Sequence, residues 1–156
     1  MAQRPARAMP AEADARPSLL YIIKQVELAV RASLEEIVRP VALTVPQYTA
    51  LTILERQPDL TSAELARNSF VTTQSMADMT DALLSAGLVE RRRDASDRRR
   101  LVLSLTAGGR RLLRRLEPNV NALETRMVDG LAPREVAEIR ERLLACRRAL
   151  AGGEPH

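Results

Sequence analysis

A chain of 156 residues, 46% of them apolar, can fold into one core with appended helices. Aromatics make up only 2% and there is no Trp, so the core must be Leu, Val, Ile, Ala and Met, which suits packed helices better than a β-sandwich. The formal charge of +4 and pI of about 10.1 point to a polyanionic partner, either nucleic acid or an anionic membrane. One cysteine and one histidine exclude an internal disulfide and a Cys/His metal site.

Residues 1–17 are rich in Ala, Pro and Arg, without helical periodicity, and read as a flexible arm. They contain no apolar stretch of the kind a secretory signal has, and no later run approaches the roughly 18 apolar residues that cross a bilayer. The expected location is the cytoplasm, with no membrane partner. From Ser18 to Arg39, Leu19, Ile22, Ile23, Val26, Val30, Leu34, Ile37 and Val38 recur at the spacing of one helical face, and Pro40 ends the helix.

Thr44-Val45-Pro46-Gln47 has the form of a capping box with Pro in the first turn, opening a helix that ends near Arg56. Thr61-Ser62-Ala63-Glu64 is a second capping box, for a short helix to about Asn68. After a turn at Ser69-Phe70-Val71, Thr72 or Thr73 caps a third helix, stopped by Gly87 as its C′ residue. Three short helices with tight joints predict a helix-turn-helix. Two short strands joined by a charged loop follow: Leu88–Arg91, then the loop Arg92–Arg98, then Arg99–Leu105, whose apolar/polar alternation predicts a half-buried strand. Thr106 caps a further helix to about Asp129, which Pro118 should kink, and Pro133 opens the last one. The fold class expected is mainly α with a small β-wing. It comprises an arm at 1–17, an N-terminal dimerisation helix at 18–42, and a winged helix-turn-helix at 43–106. C-terminal dimerisation helices at 107–150 and a tail at 151–156 complete it.

The first and last helices carry more apolar surface than a small winged domain can cover, so a second copy of the chain is the expected partner. The stripe Val136, Ile139, Leu143, Cys146 and Leu150 has near-heptad steps, and on it a buried, inert thiol is the expected state of Cys146. An enzyme needs convergent polar groups; the lone His is His156, and neither a Gly-rich phosphate loop nor a nucleophile motif is present. No catalytic activity, cofactor or metal is therefore expected.

Six of the ten residues from Arg91 to Arg100 are Arg. A charge run is ordinarily a solvated face, but this one lies between two apolar strands after a helix-turn-helix. Phosphate neutralisation needs such density, because each contact releases condensed counter-ions. Arg92, Arg93, Arg98, Arg99 and Arg100 are accordingly expected on DNA, with Asp94 and Asp97 holding the loop in shape. Thr72, Thr73, Gln74, Ser75 and Asp78 line the outer N-terminal face of the third helix, where Gln can pair with adenine and Asp can accept from cytosine. That helix is expected to bury Met76, Met79, Leu83 and Leu84. No Lys or Arg occurs from Asn68 to Glu90, which argues against guanine readout there.

These stretches resemble the MarR (multiple antibiotic resistance regulator) family of winged-helix transcription factors, over about residues 18–150. They are Leu43-Thr44-Val45-Pro46-Gln47-Tyr48, Leu65-Ala66, Leu84–Arg91, and above all Asp94-Ala95-Ser96-Asp97-Arg98-Arg99-Arg100 followed by Leu103-Ser104-Leu105-Thr106. The resemblance implies a homodimeric repressor on an inverted repeat of double-stranded DNA, with Asp97 and Arg99 as the wing pair and an arginine reaching the minor groove. It also implies a small phenolic or carboxylate effector, for which Tyr21, Lys24, Gln47 and Tyr48 stand at matching places. Asp78 departs from the family, many members of which carry a basic residue there. The rival reading is a protein-interaction adaptor without specific DNA readout.

Overall fold

A hydroxyl caps the start of five helices. Ser18, Thr44, Thr61, Thr72 and Thr106 each hold an extended conformation and accept from the backbone N–H three residues on. In the computed structural model, which describes residues 16–151, these caps open α1 (Leu19–Val38), α2 (Val45–Arg56), α3 (Ser62–Ser69), α4 (Thr73–Ser85) and α5 (Ala107–Met127). Between α4 and α5 stand β1 (Val89–Arg93) and β2 (Leu101–Leu105), and α6 (Pro133–Ala151) ends the described chain. Nearly all of the arm and tail lies outside the described residues. Both capping boxes form in full: Gln47 and Glu64 side chains accept from the Thr44 and Thr61 backbone N–H groups. Pro40 sits in a single 3₁₀ turn, Arg39–Val41, that ends α1, whereas Pro118 lies inside α5 without ending it.

The core gathers Leu51 and Leu54 of α2, Leu65 and Ala66 of α3, Met76 and Leu83 of α4, Leu103 and Leu105 of β2, and Leu113 and Leu116 of α5. Two faces differ from the periodicity reading. In α4 the third fully buried residue is Thr80, whereas Met79 and Leu84 are half-buried, because the helix turns its Met76–Thr80–Leu83 line to α3 and the wing. In β2 the expected alternation gives way to burial of all of Val102–Leu105. The reason is a third, very short strand: Asp59 N–H donates to the Leu103 carbonyl and Leu103 N–H to that of Leu60, at 3.1 and 2.8 Å, while Ser104 donates to Asp59 at 2.6 Å. Alternation assumes one wet face; residues 59–60 close the outer edge of β2, and the Asp59 side chain lies over Ser104 on the face that alternation would leave wet.

By contrast, α1 has one fully buried residue, Val38, and α6 has none. Leu19, Leu20, Ile22, Val26, Ile139, Leu143 and Leu150 are all exposed. Cys146 is exposed too, against the expectation of burial, because no described residue packs over that part of the α6 stripe.

Candidate nucleic-acid interface

The turn before α4 is compact because Phe70 adopts a left-handed conformation (φ 55°), with its N–H and that of Val71 closing on α3 carbonyls. That brings Thr72 to the head of α4. Thr72 is spent on the cap: its oxygen accepts from Ser75 N–H at 3.1 Å and its hydroxyl donates to Ser75 Oγ at 2.9 Å. Thr73 is exposed beside it, at a helix start whose N–H groups favour an anion. Gln74 donates to Asp78 at 3.3 Å one turn on, so these two side chains form one exposed unit, and Asp81 faces Arg91 at 3.7 Å. The helix's acidic side is thereby partly matched from within.

The wing is an antiparallel pair in which Val89 faces Leu105 and Arg93 faces Leu101. Its arginines divide into two groups. Arg92 donates to Asp59 at 2.7 Å, Arg100 donates to both Glu64 oxygens at 2.9 Å with Asp94 at 3.5 Å, and Arg93 donates to the Arg98 carbonyl at 2.7 Å. These three tie the wing to itself, to the segment before α3 and to the first turn of α3. Arg98 and Arg99, at the tip, have no hydrogen-bonded or ion-paired side-chain partner among the described residues. Asp97 does meet Arg99, but through the backbone: its Oδ1 accepts the Arg99 N–H at 3.0 Å, so the Arg99 guanidinium stays available. Asp94 accepts from the Ser96 hydroxyl and N–H, both at 2.7 Å, closing the loop. Sequence reasoning missed Asp59 and Glu64 as wing supports; the only trace in the chain is Glu64's place in a capping box.

The Thr61 backbone N–H, then its hydroxyl, hold the Glu64 carboxyl below the usual carboxylate range, with Arg100 adding to them. The Ser96 hydroxyl and N–H do the same for Asp94. Both folded values are depressed, so the contribution of these ties is complete above the ordinary carboxylate range and is lost as pH falls through the lower folded values. Glu64→Gln keeps the cap acceptor but loses the charge on Arg100. The expected result is faster amide exchange at 94–100, weaker DNA binding by a few-fold, and little change in melting temperature, as for an exposed pair. Unchanged exchange in the wing would remove Glu64 from that role.

Of the four residues matched to an effector site, Tyr48 lines a cleft of about 240 Å³ between α2 and α5, with Thr52, Leu113, Val120 and Asn121; burial raises its phenol above the ordinary value. Gln47 is committed to the Thr44 cap, Lys24 pairs with Glu27 at 2.9 Å, and Tyr21 is exposed on the first turn of α1. The four do not converge within one chain.

Two helices set by a tight turn, a third helix behind them and an arginine-tipped hairpin define a winged helix-turn-helix protein of the DNA-binding class. Known proteins narrow the assignment. The MarR family profile matches residues 43–101. The HTH-type transcriptional repressor Rv2887 of Mycobacterium tuberculosis is 36% identical over 131 residues, spanning 84% of this chain and 94% of that one. A MarR family transcriptional regulator from Silicibacter pomeroyi shares the fold at a TM-score of 0.82, with 22% identity over 90% of this chain and 97% of its own. The repressor CouR bound to a 23-mer DNA duplex is 32% identical over 86% of this chain and 92% of its own, at a TM-score of 0.69. CouR from Rhodococcus jostii RHA1 bound to p-coumaroyl-CoA is 25% identical over 83% and 91%, at 0.76. The chain belongs to the MarR family: it is a DNA-binding transcriptional regulator, not an enzyme. No single helix among the described residues is long and apolar enough to cross a membrane.

Proposed function

We propose that the chain works in the cytoplasm as a homodimeric repressor on an inverted repeat of double-stranded DNA, released by a small phenolic or carboxylate effector. The observation that carries this is the exposed apolar surface along α1 and α6, which no other part of the described residues covers. A second copy related by a two-fold axis buries it and sets two copies of α4 about one DNA turn apart. Repression is supported by the name of the mycobacterial relative, and an effector by the acyl-CoA held by CouR.

Within each half, Thr73, Gln74 and Asp78 read base edges at the head of α4. Thr72 and Ser75 hold that head in place, and Arg98 and Arg99 bind phosphates or the minor groove. Arg92, Arg93 and Arg100 contribute field and wing geometry. Asp97 orients the tip. An effector in the cleft beside Tyr48 acts only through its differential affinity for dimers of different lobe spacing. Light scattering on purified protein should give twice 17.3 kDa. DNA affinity should fall with salt at a log–log slope steeper than about −5, as roughly six phosphate contacts require. A monomer at micromolar concentration overturns the dimer. Salt-insensitive binding, or none to the protein's own upstream region, leaves the adaptor reading instead.

A further inference from the structure

At the end of α3 away from the wing, four arginines converge on a cleft of about 450 Å³: Arg56 of α2, Arg67 of α3, and Arg147 and Arg148 of α6. None of the four has an ion-pair partner among the described residues, and no carboxylate lines the cleft. Arg56 also lines the α2–α5 cleft, and three other clefts mix the two signs. The α2–α5 cleft, the α1–α2 cleft and the cleft along α6 also hold arginines, but each sets two or three glutamates beside them. A concave cluster of one sign concentrates counter-ions, and guanidinium forks match phosphate oxygens.

The rim of the same cleft is Phe70, the only Phe of the chain. It is 85% exposed and left-handed at φ 55°, a conformation that glycine adopts without strain at a helix C-terminus. An exposed aromatic ring on a strained backbone position is placed for contact with something outside the chain. Asn68 donates to Gln57 at 3.4 Å across the cleft, which leaves the Gln57 amide N–H groups as further donors.

We propose that this cleft binds a nucleotide-type ligand, with its phosphates on Arg56, Arg67, Arg147 and Arg148 and its base against Phe70. The volume falls in the range of small-molecule clefts, roughly 300–1,000 Å³, and flat bases stack on aromatic faces. Phe70 stands two residues before Thr72, the cap of α4, so an occupant bears on the helix that reads DNA; this consequence rests on the repressor reading, while the binding itself does not. The test is calorimetry on the full chain without DNA at low salt, using ATP and inorganic tripolyphosphate as probes. Both should bind saturably at one per chain, ATP about tenfold more tightly.

Arg147→Ala with Arg148→Ala should weaken both probes by about tenfold or more, as expected for charge-assisted bonds. Phe70→Gly, which relieves the left-handed strain and should fold at least as well, should bring ATP down to the level of tripolyphosphate. Arg98→Ala with Arg99→Ala should change neither. Absent saturable binding, indifference to the α6 pair, or loss on changing the wing tip instead overturns the site; equal affinity of the two probes in the unmodified chain overturns the role of Phe70. DNA affinity is measured separately, so failure here leaves the repressor reading intact, and failure there leaves this site intact.

Discussion

Arg98→Ala combined with Arg99→Ala should lower affinity for duplex DNA by about a hundredfold, on specific and random sequences alike, without moving the melting temperature. The two guanidinium groups have no partner among the described residues, so their removal leaves no buried group unpaired and no packing gap there. On DNA each makes charge-assisted bonds of about 1.5–3 kcal/mol, and two together reach two decades of affinity. The log–log salt slope should shrink by about 2, because two phosphate contacts are lost. Gln74→Ala offers the contrast: it should change which sequences are preferred while keeping the salt slope. If both variants act equally on every sequence, the wing tip and α4 do not divide the work in this way. Arg92 and Arg100 behave differently again, since their loss releases Asp59 and Glu64 and loosens the wing as a whole.

Gly109→Ala should destabilise the fold by about 3 kcal/mol, a fall in melting temperature of about 10 °C for a chain of this size. Gly109 lies in the first turn of α5 with ordinary helical backbone, so its role is room and not conformational freedom. A Cβ there drives into the Leu88 carbonyl oxygen and meets Leu105 Cδ2 at 3.2 Å. The carbonyl is backbone and already accepts the Thr106 N–H at 3.1 Å, so it has no rotamer by which to move aside. The start of α5 would have to lift from the hairpin. Gly108 is the control: its nearest neighbour to an added Cβ is the Gly87 oxygen at 3.2 Å, a contact that a few tenths of an ångström relieves. Helix propensity favours alanine by about 1 kcal/mol, so Gly108→Ala should be close to neutral. Equal losses in thermal melts of the two variants would dismiss the steric account.

Much of this architecture is legible along the chain because its causes are local. A cap needs a hydroxyl and an N–H three residues apart, and Thr44, Thr61, Thr72 and Thr106 all supply one. Gly87 at φ 68° closes α4 as a C′ residue should. The order Asp94 to Arg100 between two apolar strands marks the wing, and the apolar stripes of α6 and of the first half of α1 mark surfaces that no other described residue covers.

Burial in β2 was not legible, because residues 59–60 reach it from more than forty positions away. Nor was the converging group Arg56, Arg67, Arg147 and Arg148, which belongs to three helices. The wing shows the division most clearly. Sequence alone determined that an arginine cluster sits at the tip of a hairpin behind a helix-turn-helix. It could not assign tasks within the cluster, since six guanidinium groups in ten residues are chemically alike. Only the tertiary structure decided which are committed, by bringing Asp59 to Arg92 across 33 positions and Glu64 to Arg100 across 36. An ion pair depends on distance in space, and that distance is set by the packing of α2 and α4 against the wing, leaving Arg98 and Arg99 at the tip for DNA.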